Sequence, residues 1–145
     1  MGNTQPHIFI VHGHSEVDTF KVKDFIRSLN LTPIDLQDQD DLGLTIIEKF
    51  EKYATQCDAA IVLMTPDDLV SPSGTGSDVQ ASRQNVMIEL GWFMRHVGRS
   101  RVVILYQSGT HVPSDIAGVL YLAYDKSPLE VTEKMRQRLK GLGLI

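Results

Sequence analysis

The fold of this chain is decided by one apolar stretch near its middle, Asp58-Ala59-Ala60-Ile61-Val62-Leu63-Met64. An uninterrupted apolar run of this length, bounded by polar residues, is typical of a strand that is buried on both faces of a parallel sheet. Four further short runs rich in β-branched or aromatic residues predict other strands, at residues 7–12, 32–36, 101–106 and 120–124.

Amphipathic segments between these strands predict helices, and most have a recognisable start. Capping boxes begin three of them, at Ser15-Asp18, Thr45-Glu48 and Ser127-Glu130. Ser82 is expected to cap a further helix over residues 83–97. In the first helix we expect Lys23 to lie mostly outside and one apolar face to pack inward, namely Val17, Phe20, Phe25, Ile26 and Leu29. Alternating strands and helices predict an α/β fold, a flavodoxin-like five-stranded parallel sheet with helices on both faces.

Composition narrows the class of protein. The 145 residues are expected to form a single domain, and their net charge of −4 includes no Lys/Arg stripe that would follow a nucleic acid duplex. The single Cys57 has no partner for an internal disulfide, which indicates a reducing compartment. No apolar run approaches the roughly 20 residues of a membrane span. We therefore expect a cytoplasmic protein that binds neither membranes nor duplex nucleic acid.

Ligands of such sheets bind beyond the carboxyl ends of the strands. The segment His12-Gly13-His14-Ser15 follows the first predicted strand and offers backbone N–H groups and a helix N-terminus to a phosphate or a ribose. The alternative is that Gly13 serves only the turn and Ser15 only the helix cap. No carboxylate or cysteine supports the two histidines at metal-ligand spacing, so no metal site is expected.

Other polar stretches have simpler explanations. Asp38, Asp40 and Asp41 are interpreted as a solvated loop, because a receiver domain would carry its acceptor aspartate directly at the end of the third strand, where Asp67 instead follows a proline. Residues 65–82 are expected to form one long loop. Its stretch Gly74-Thr75-Gly76-Ser77 lacks the third glycine of a dinucleotide fingerprint and is interpreted as a lid or an exposed loop.

The most informative helix is predicted around Arg83-Gln84-Asn85-Val86-Met87-Ile88-Glu89-Leu90-Gly91-Trp92-Phe93. Its buried stripe is expected to be Val86, Leu90, Met94 and Val97, and its adjacent face Asn85, Glu89, Trp92 and Phe93. A carboxylate among such neighbours costs free energy unless something compensates for it. Glu89 is therefore either functional, with Arg83, Asn85 and Trp92 as candidate substrate-binding residues, or it is an ordinary carboxylate paired with Arg83 or solvated.

Five blocks in one order give the chain a specific resemblance that runs from about His7 to about Asp125. They are IFIVHGH at 8–14, TIIEKFE at 45–51, VLMTPDD at 62–68, RQNVMIELG at 83–91 and PSDIAG at 113–118. The series resembles the bacterial TIR-like domain family of Pycsar and cyclic-oligonucleotide (CBASS-type) antiviral defence effectors.

The resemblance implies an activity and a site. Members of this family are similar in cleaving NAD⁺ to nicotinamide and an ADP-ribose product, so NAD⁺ is a substrate and no cofactor is expected. The family's catalytic glutamate maps to Glu89, and the substrate-binding border maps to Asp67, Asp68 and residues 12–15. The resemblance further implies self-association of TIR domains and a cyclic-nucleotide sensor domain or protein as partners.

Chemistry explains why one carboxylate suffices. Nicotinamide leaves NAD⁺ as a neutral amide, so no general acid is needed to protonate it, in contrast to ordinary glycosidases. A carboxylate near the ribose stabilises the oxocarbenium-like centre. Attack by water or by the adenine then gives a linear or a cyclised product, and the residues leave both open. Two alternatives also remain, a non-catalytic TIR scaffold with residues 38–43 as its contact surface, and an N-ribosyl transferase acting on another nucleoside.

Overall fold

The computed structural model describes residues 4–70, 79–113 and 116–145. Five parallel strands form one sheet in the order β2-β1-β3-β6-β7. These strands are β1 His7–Val11, β2 Thr32–Ile34, β3 Ala59–Met64, β6 Val102–Gln107 and β7 Leu120–Tyr124. Two short strands, β4 Asp68–Val70 and β5 Val79–Ala81, pair antiparallel with each other apart from this sheet.

Four helices cover the sheet, α1 Glu16–Ser28, α2 Ile46–Ala54, α3 Gln84–His96 and α4 Thr132–Gly141. Short 3₁₀ turns lie at Leu36–Asp38, Arg99–Arg101 and Pro128–Val131. Helices α1 and α4 pack on one face of the sheet, and α2 and α3 pack on the other. Strand β3 is buried throughout, with Ala59, Ile61 and Leu63 facing the first pair of helices and the alternate residues facing the second pair. The predicted flavodoxin-like fold is confirmed.

The prediction of one long loop over residues 65–82 is partly wrong. It contains β4 and β5, whose register places Asp68 opposite Ala81. Strands of three residues are too short to leave a readable alternation of polar and apolar side chains. The glycine-rich stretch Gly74-Thr75-Gly76-Ser77 lies outside the described residues.

Two of the three predicted capping boxes are confirmed, at Thr45 and at Ser127. The box at Ser15 is wrong, since the Ser15 side chain makes no capping bond and the Asp18 carboxylate instead accepts a hydrogen bond from the Tyr124 hydroxyl at 2.8 Å. The expected cap at Ser82 is also wrong. Helix α3 has Arg83 at its N-cap position, and the Ser82 hydroxyl donates to the Met87 sulfur at 3.6 Å.

The predicted apolar face of α1 needs one correction. Val17 and Phe20 are 66% and 63% exposed, whereas Val22, Phe25 and Ile26 are buried against the sheet. The buried face of this helix starts at Thr19 in the first turn and continues through Val22 to Phe25 and Ile26, so Val17 and Phe20 lie on its solvent side. Across the described residues, no helix is both long enough and apolar enough to cross a membrane.

Candidate functional site

A cavity of about 290 Å³ lies at the carboxyl edge of the sheet, between the ends of β1 and β2 and the first turns of α3. Its lining combines apolar residues from β1, from the turn after β2 and from α2 with six polar or ionisable side chains. The lining residues are Phe9, Ile10, His12, Asp35, Leu36, Gln37, Ile46, Arg83, Asn85 and Glu89. This is the edge where parallel α/β sheets bind ligands.

His12 and Asp35 form one wall of the cavity. Strands β1 and β2 are hydrogen-bonded neighbours, so the residues that directly follow their carboxyl ends meet. His12 Nε2 lies 2.8 Å from Asp35 Oδ1, and His12 Nδ1 lies 2.9 Å from the carbonyl oxygen of Gly13. The His12 and Asp35 side chains are only 6% and 5% exposed. Their geometry is therefore fixed from both ends of the imidazole ring.

The carboxylate of Asp35 accepts three hydrogen bonds from described residues. Besides His12, it accepts from the Lys23 ammonium at 3.0 Å and from the backbone N–H of Gln37 at 3.1 Å. Burial alone would raise the pKa of Asp35, but the hydrogen bond and charge of His12, followed by Lys23 and Gln37, lower it to about 2. Lys23 also pairs with Asp38. Asp35 is thus ionised and fully partnered.

Glu89 stands in contrast on the helix side of the cavity. Burial raises the pKa of its carboxyl group from 4.5 to about 7, while the charges of His12 and Arg83 act to lower it and the charge of Asp35 to raise it. No hydrogen bond to any described residue contributes to this shift. Glu89 is therefore a desolvated carboxylate whose charge is compensated only at a distance.

The packing of α3 explains why Glu89 is held there. Val86, Leu90 and Phe93 are buried against the sheet and anchor the helix. Phe93 packs on Phe9 with ring centroids 4.9 Å apart, which ties α3 to the strand that ends at the cavity. Glu89 lies one position before Leu90 in this helix. The packing of the helix on the sheet therefore sets the position of Glu89, and no loop has to become ordered for it.

Gly13 permits a close approach by the loop after β3. A Cβ atom at Gly13 would lie 2.0 Å from Asp67 Oδ2, so any larger residue would displace that carboxylate. The other oxygen of Asp67 accepts from the Thr65 hydroxyl at 3.0 Å, and Oδ2 is buried without a hydrogen-bond partner among the described residues. The first-strand turn and the Asp67 segment are therefore packed directly together.

Comparison with known proteins identifies the family. The family profile described as "CAP12/Pycsar effector protein, TIR domain" matches residues 7–126. The chain belongs to this family of anti-phage TIR effectors.

Several relatives share much of this TIR domain. It is 44% identical over 119 residues to the uncharacterized protein YuaY of Escherichia coli K12, covering 82% of this chain and 40% of that protein. It is 32% identical to protein tirC of Dictyostelium discoideum, covering 92% and 71%, and 33% identical to the Pycsar effector protein BcPycTIR of Burkholderia cepacia, covering 68% and 35%. The chain thus spans well under half the length of two of these three relatives.

Two solved structures of receiver domains resemble the TIR domain in fold only. A response regulator receiver domain protein from Bacillus halodurans superposes with a TM-score of 0.50 at 14% identity, covering 93% of this chain and 97% of that one. The signal receiver domain assigned to a Luxo repressor protein of Vibrio parahaemolyticus gives a TM-score of 0.51 at 14% identity, covering 97% and 95%. Both likenesses agree with the doubly wound sheet.

The TIR domain brings together some of the residues predicted from sequence. Glu89, His12, Arg83 and Asn85 line one cavity. Gly13 is buried beneath Asp67 at its border. Farther out, His14 is exposed and Ser15 is half-buried at the start of α1. The side chain of Asp68 lies outside the described residues.

Trp92 and Phe93 are placed away from the cavity lining. Trp92 packs edge-on against Phe50 and Phe93, with centroid distances of 5.1 and 5.0 Å, and stacks near His96. Phe93 is completely buried, so its predicted place on the adjacent face is wrong: it belongs to the buried stripe, whereas Met94 and Val97, which were predicted there, are only half-buried. The stripe follows the helical period from Val86 through Leu90 to Phe93, which places Met94 at its margin.

Sequence reasoning missed Asp35 and the role of Lys23. The predicted second strand ran to Leu36 and so concealed Asp35, although the strand ends at Ile34. Lys23 was expected outside α1, but its ammonium turns back to Asp35 and Asp38. A polar residue directly after a short strand was the signal available for Asp35. The described residues contain no group of three or more His, Cys, Asp or Glu side chains fit to hold a metal ion.

Proposed function

We propose that this TIR domain is an NAD⁺ glycohydrolase of bacterial anti-phage defence, with Glu89 as its catalytic carboxylate. One observation carries the proposal. Glu89 lines a cavity at the ligand-binding edge of the sheet, and its carboxylate is desolvated without a hydrogen bond to any described residue. A structural carboxylate in a folded protein normally gains compensating partners, as Asp35 does.

The charge state of Glu89 suits the reaction. A pKa of about 7 leaves a large part of the population ionised at neutral pH. An ionised carboxylate that is not solvated interacts strongly with positive charge that develops nearby. The cleavage of NAD⁺ creates such a charge at the anomeric carbon of the ribose. The free energy lost in desolvating Glu89 is regained at that moment, which stabilises the transition state more than the ground state.

The bond changes are simple. The C–N bond between the ribose and nicotinamide breaks, and its electron pair leaves with nicotinamide, which becomes neutral. Glu89 stabilises the ribosyl cation, and water adds to it and loses one proton to give ADP-ribose. No general acid is required for the leaving group, in agreement with a site that presents one unpaired carboxylate. Addition of an adenine nitrogen to the same cation would instead give the cyclised product.

The site offers space and polar groups to a dinucleotide. The cavity at Glu89 lies near the lower end of ligand-site volumes of about 300–1,000 Å³. A second cavity of about 320 Å³ adjoins it and shares His12, Asp35 and Gln37 with it. Asn85 and Arg83 stand at the first cavity as hydrogen-bond donors for ribose hydroxyls and phosphate oxygens. We assign the nicotinamide ribose to the cavity of Glu89, and we place the reaction in the cytoplasm.

The proposed partners are inferred from the names of the relatives. Proteins of Burkholderia cepacia and Pseudomonas aeruginosa that match this chain are named Pycsar effectors. We infer that a cyclic-nucleotide sensor domain or protein assembles these TIR domains and so activates them. Self-association would supply further cations for a pyrophosphate, since among the described residues that line the two cavities Lys23 is already committed to Asp35 and Asp38, which leaves Arg83.

A second candidate function is a TIR scaffold that signals by assembly without catalysis. Exposed apolar side chains near the start of α2 favour it, since Leu42, Ile46 and Ile47 are 59%, 83% and 56% exposed. The desolvated carboxylate of Glu89, which lines the cavity, has no function in such a scaffold. The NAD⁺ glycohydrolase therefore accounts for more of the structure.

The proposal is tested by incubating concentrated protein with NAD⁺ and measuring released nicotinamide by chromatography. The wild type should release nicotinamide, and Glu89→Gln should lower the rate by on the order of 10²-fold or more. Glu51→Gln is the matched control, because Glu51 is an exposed carboxylate on α2. A folded Glu89→Gln protein with wild-type activity would reject the assignment, and an inactive wild type at every concentration would favour the scaffold.

A further inference from the structure

The hydrogen bonds of His12 determine its charge. The carbonyl oxygen of Gly13, 2.9 Å from Nδ1, has no hydrogen to donate. Asp35, 2.8 Å from Nε2, is ionised and also acts only as an acceptor. Both ring nitrogens must then carry a hydrogen, which is the imidazolium form.

We propose that His12 is a positioning residue, held as an imidazolium between Asp35 and Gly13, whose positive charge favours the ionised form of Glu89 across the cavity. The catalytic consequence rests on the proposed NAD⁺ cleavage, but the charge relationship itself does not. His12 makes no hydrogen bond to the substrate in this role, because both of its N–H groups are already used. It acts through the charge of Glu89.

The energetics of His12 agree with this assignment. Burial by itself would lower the pKa of the imidazole, yet the hydrogen bond and charge of Asp35 and the bond to Gly13 outweigh burial and raise it. Lys23 acts weakly in the opposite direction, and it is itself neutralised by Asp35 and Asp38. The strand side of the cavity therefore presents an imidazole whose charged form is stabilised by Asp35 and by the Gly13 carbonyl.

The other charged groups around the two residues do not replace His12. Asp35 acts on Glu89 in the unfavourable direction, and Arg83 acts favourably but less strongly than His12. Arg83 is also exposed, so solvent screens its charge. Glu16 and Asp38 border only the adjoining cavity on the far side of His12. Among the described residues, His12 is the largest favourable influence on the charge of Glu89.

The direct test is the titration of Glu89 by NMR in protein labelled with ¹³C at the glutamate carboxyl carbon, without NAD⁺. The Glu89 signal is assigned by its loss in Glu89→Gln. His12→Gln removes the charge but retains an amide donor for Asp35, so the local hydrogen bond is preserved. We expect the pKa of Glu89 to rise by about one unit or more in His12→Gln. His111→Gln, a change of an exposed histidine outside this cavity, should leave it unchanged.

A kinetic measurement links the charge of Glu89 to the rate of NAD⁺ cleavage. A rise of one unit lowers the ionised fraction of Glu89 at pH 7 from about one half to about one tenth. The kcat/KM of His12→Gln should thus fall about fivefold at pH 7 and recover toward the wild-type value at pH 9. A purely structural role of His12 would lower activity equally at both pH values, and that result would overturn the proposal.

A third measurement uses only the wild type, so it tests the proposal even if His12→Gln does not fold. The ring ¹⁵N shifts of His12 in the wild type should report an imidazolium at pH 7.5, and a neutral ring there would overturn the proposal. An unchanged pKa of Glu89 in folded His12→Gln would do the same. Both NMR readings are independent of NAD⁺, so absence of NAD⁺ cleavage with a shifted Glu89 titration would reject the proposed function alone.

Discussion

Two carboxylates line the same cavity, the buried Asp35 and the half-buried Glu89, and they differ in almost every physical respect. Asp35, on the strand side, accepts hydrogen bonds from His12, Lys23 and a backbone N–H, and its pKa is lowered to about 2. Glu89, on the helix side, accepts no hydrogen bond from a described residue, and burial raises its pKa to about 7. Asp35 is built to remain charged and inert, whereas Glu89 is free to respond to a ligand.

The difference shows that burial of a carboxylate does not by itself mark a catalytic group. Desolvation disfavours the charged form of both carboxylates, but only at Asp35 do hydrogen bonds from protein groups outweigh it. At Glu89 the charges of His12 and Arg83 compensate for it only in part. Catalytic sites are expected to contain groups whose desolvation is not fully offset by protein contacts, at some cost in the free energy of unfolding.

The largest expected effect comes from Asp35→Asn, which tests whether the strand side is structural. Removing one partner of a buried charged cluster leaves His12 and Lys23 uncompensated, so the free energy of unfolding at pH 7 should fall by about 3–5 kcal/mol. Urea denaturation measures it. Because the folded pKa of Asp35 lies below its unfolded value, the stabilisation is present above about pH 4 and is lost as pH falls through about 2.

The gap between wild type and Asp35→Asn should therefore narrow as the pH is lowered from 4 to 2. Lys23→Gln provides a graded comparison, since it removes one donor and leaves the His12 bond intact. It should cost less than Asp35→Asn. A loss below about 1 kcal/mol for Asp35→Asn would remove the contrast between the two sides of the cavity.

The second prediction has the opposite sign. Glu89→Gln should raise the free energy of unfolding at pH 8 by about 1–3 kcal/mol, because it removes a half-buried charge that accepts no hydrogen bond from a described residue. The folded pKa of about 7 exceeds the ordinary 4.5, so Glu89 reduces stability progressively as pH rises from about 4.5 to 7. The gain should accordingly be small at pH 5.

Thermal or urea unfolding of both proteins across this pH range checks the sign. Glu51→Gln, at an exposed position, should change stability little at either pH. If Glu89→Gln proved as destabilising as Asp35→Asn, Glu89 would be a structural carboxylate with partners of its own.

The sequence predicted one of these carboxylates and not the other, for physical reasons. Glu89 lies in a helix whose period can be read from Val86, Leu90 and their neighbours, and its block also carries the family resemblance. Asp35 becomes important only through His12, 23 residues away, and Lys23, 12 residues away. Contacts at such separations depend on the pairing of β1 with β2, which no local pattern records.

The fold was more predictable than the helix ends. Strand β3 is apolar over its whole length, and its neighbours β1 and β6 each carry a polar residue only at one end, so the prediction of these strands survives small errors in their boundaries. The caps at Ser15 and Ser82 failed because Asp18 bonds to Tyr124, a tertiary partner, and Ser82 bonds to Met87, a local partner in the first turn of α3. A capping motif competes with such partners, whereas a buried strand has no alternative environment.

The smallest effect on stability is expected outside the cavity. Lys49 pairs with Asp41 at 2.6 Å, but the Asp41 side chain is 82% exposed, so Asp41→Lys should change the free energy of unfolding by less than about 1 kcal/mol. If residues 37–43 contact a second TIR domain, the same variant should reduce NAD⁺ cleavage by concentrated protein. A dilution series of activity per molecule, for Asp41→Lys and wild type, measures this. Equal activity at all concentrations would exclude the contact.

The measurement that tests the central claim most directly is the pH dependence of kcat/KM for NAD⁺ cleavage by the wild type between pH 5 and 8.5. The account predicts a rise of about tenfold per unit at low pH and a plateau above about pH 7, where Glu89 is ionised. Residual turnover of Glu89→Gln should lack this limb. A wild-type profile that is flat below pH 7, or that falls as pH rises through 7, would contradict catalysis by the ionised Glu89 carboxylate.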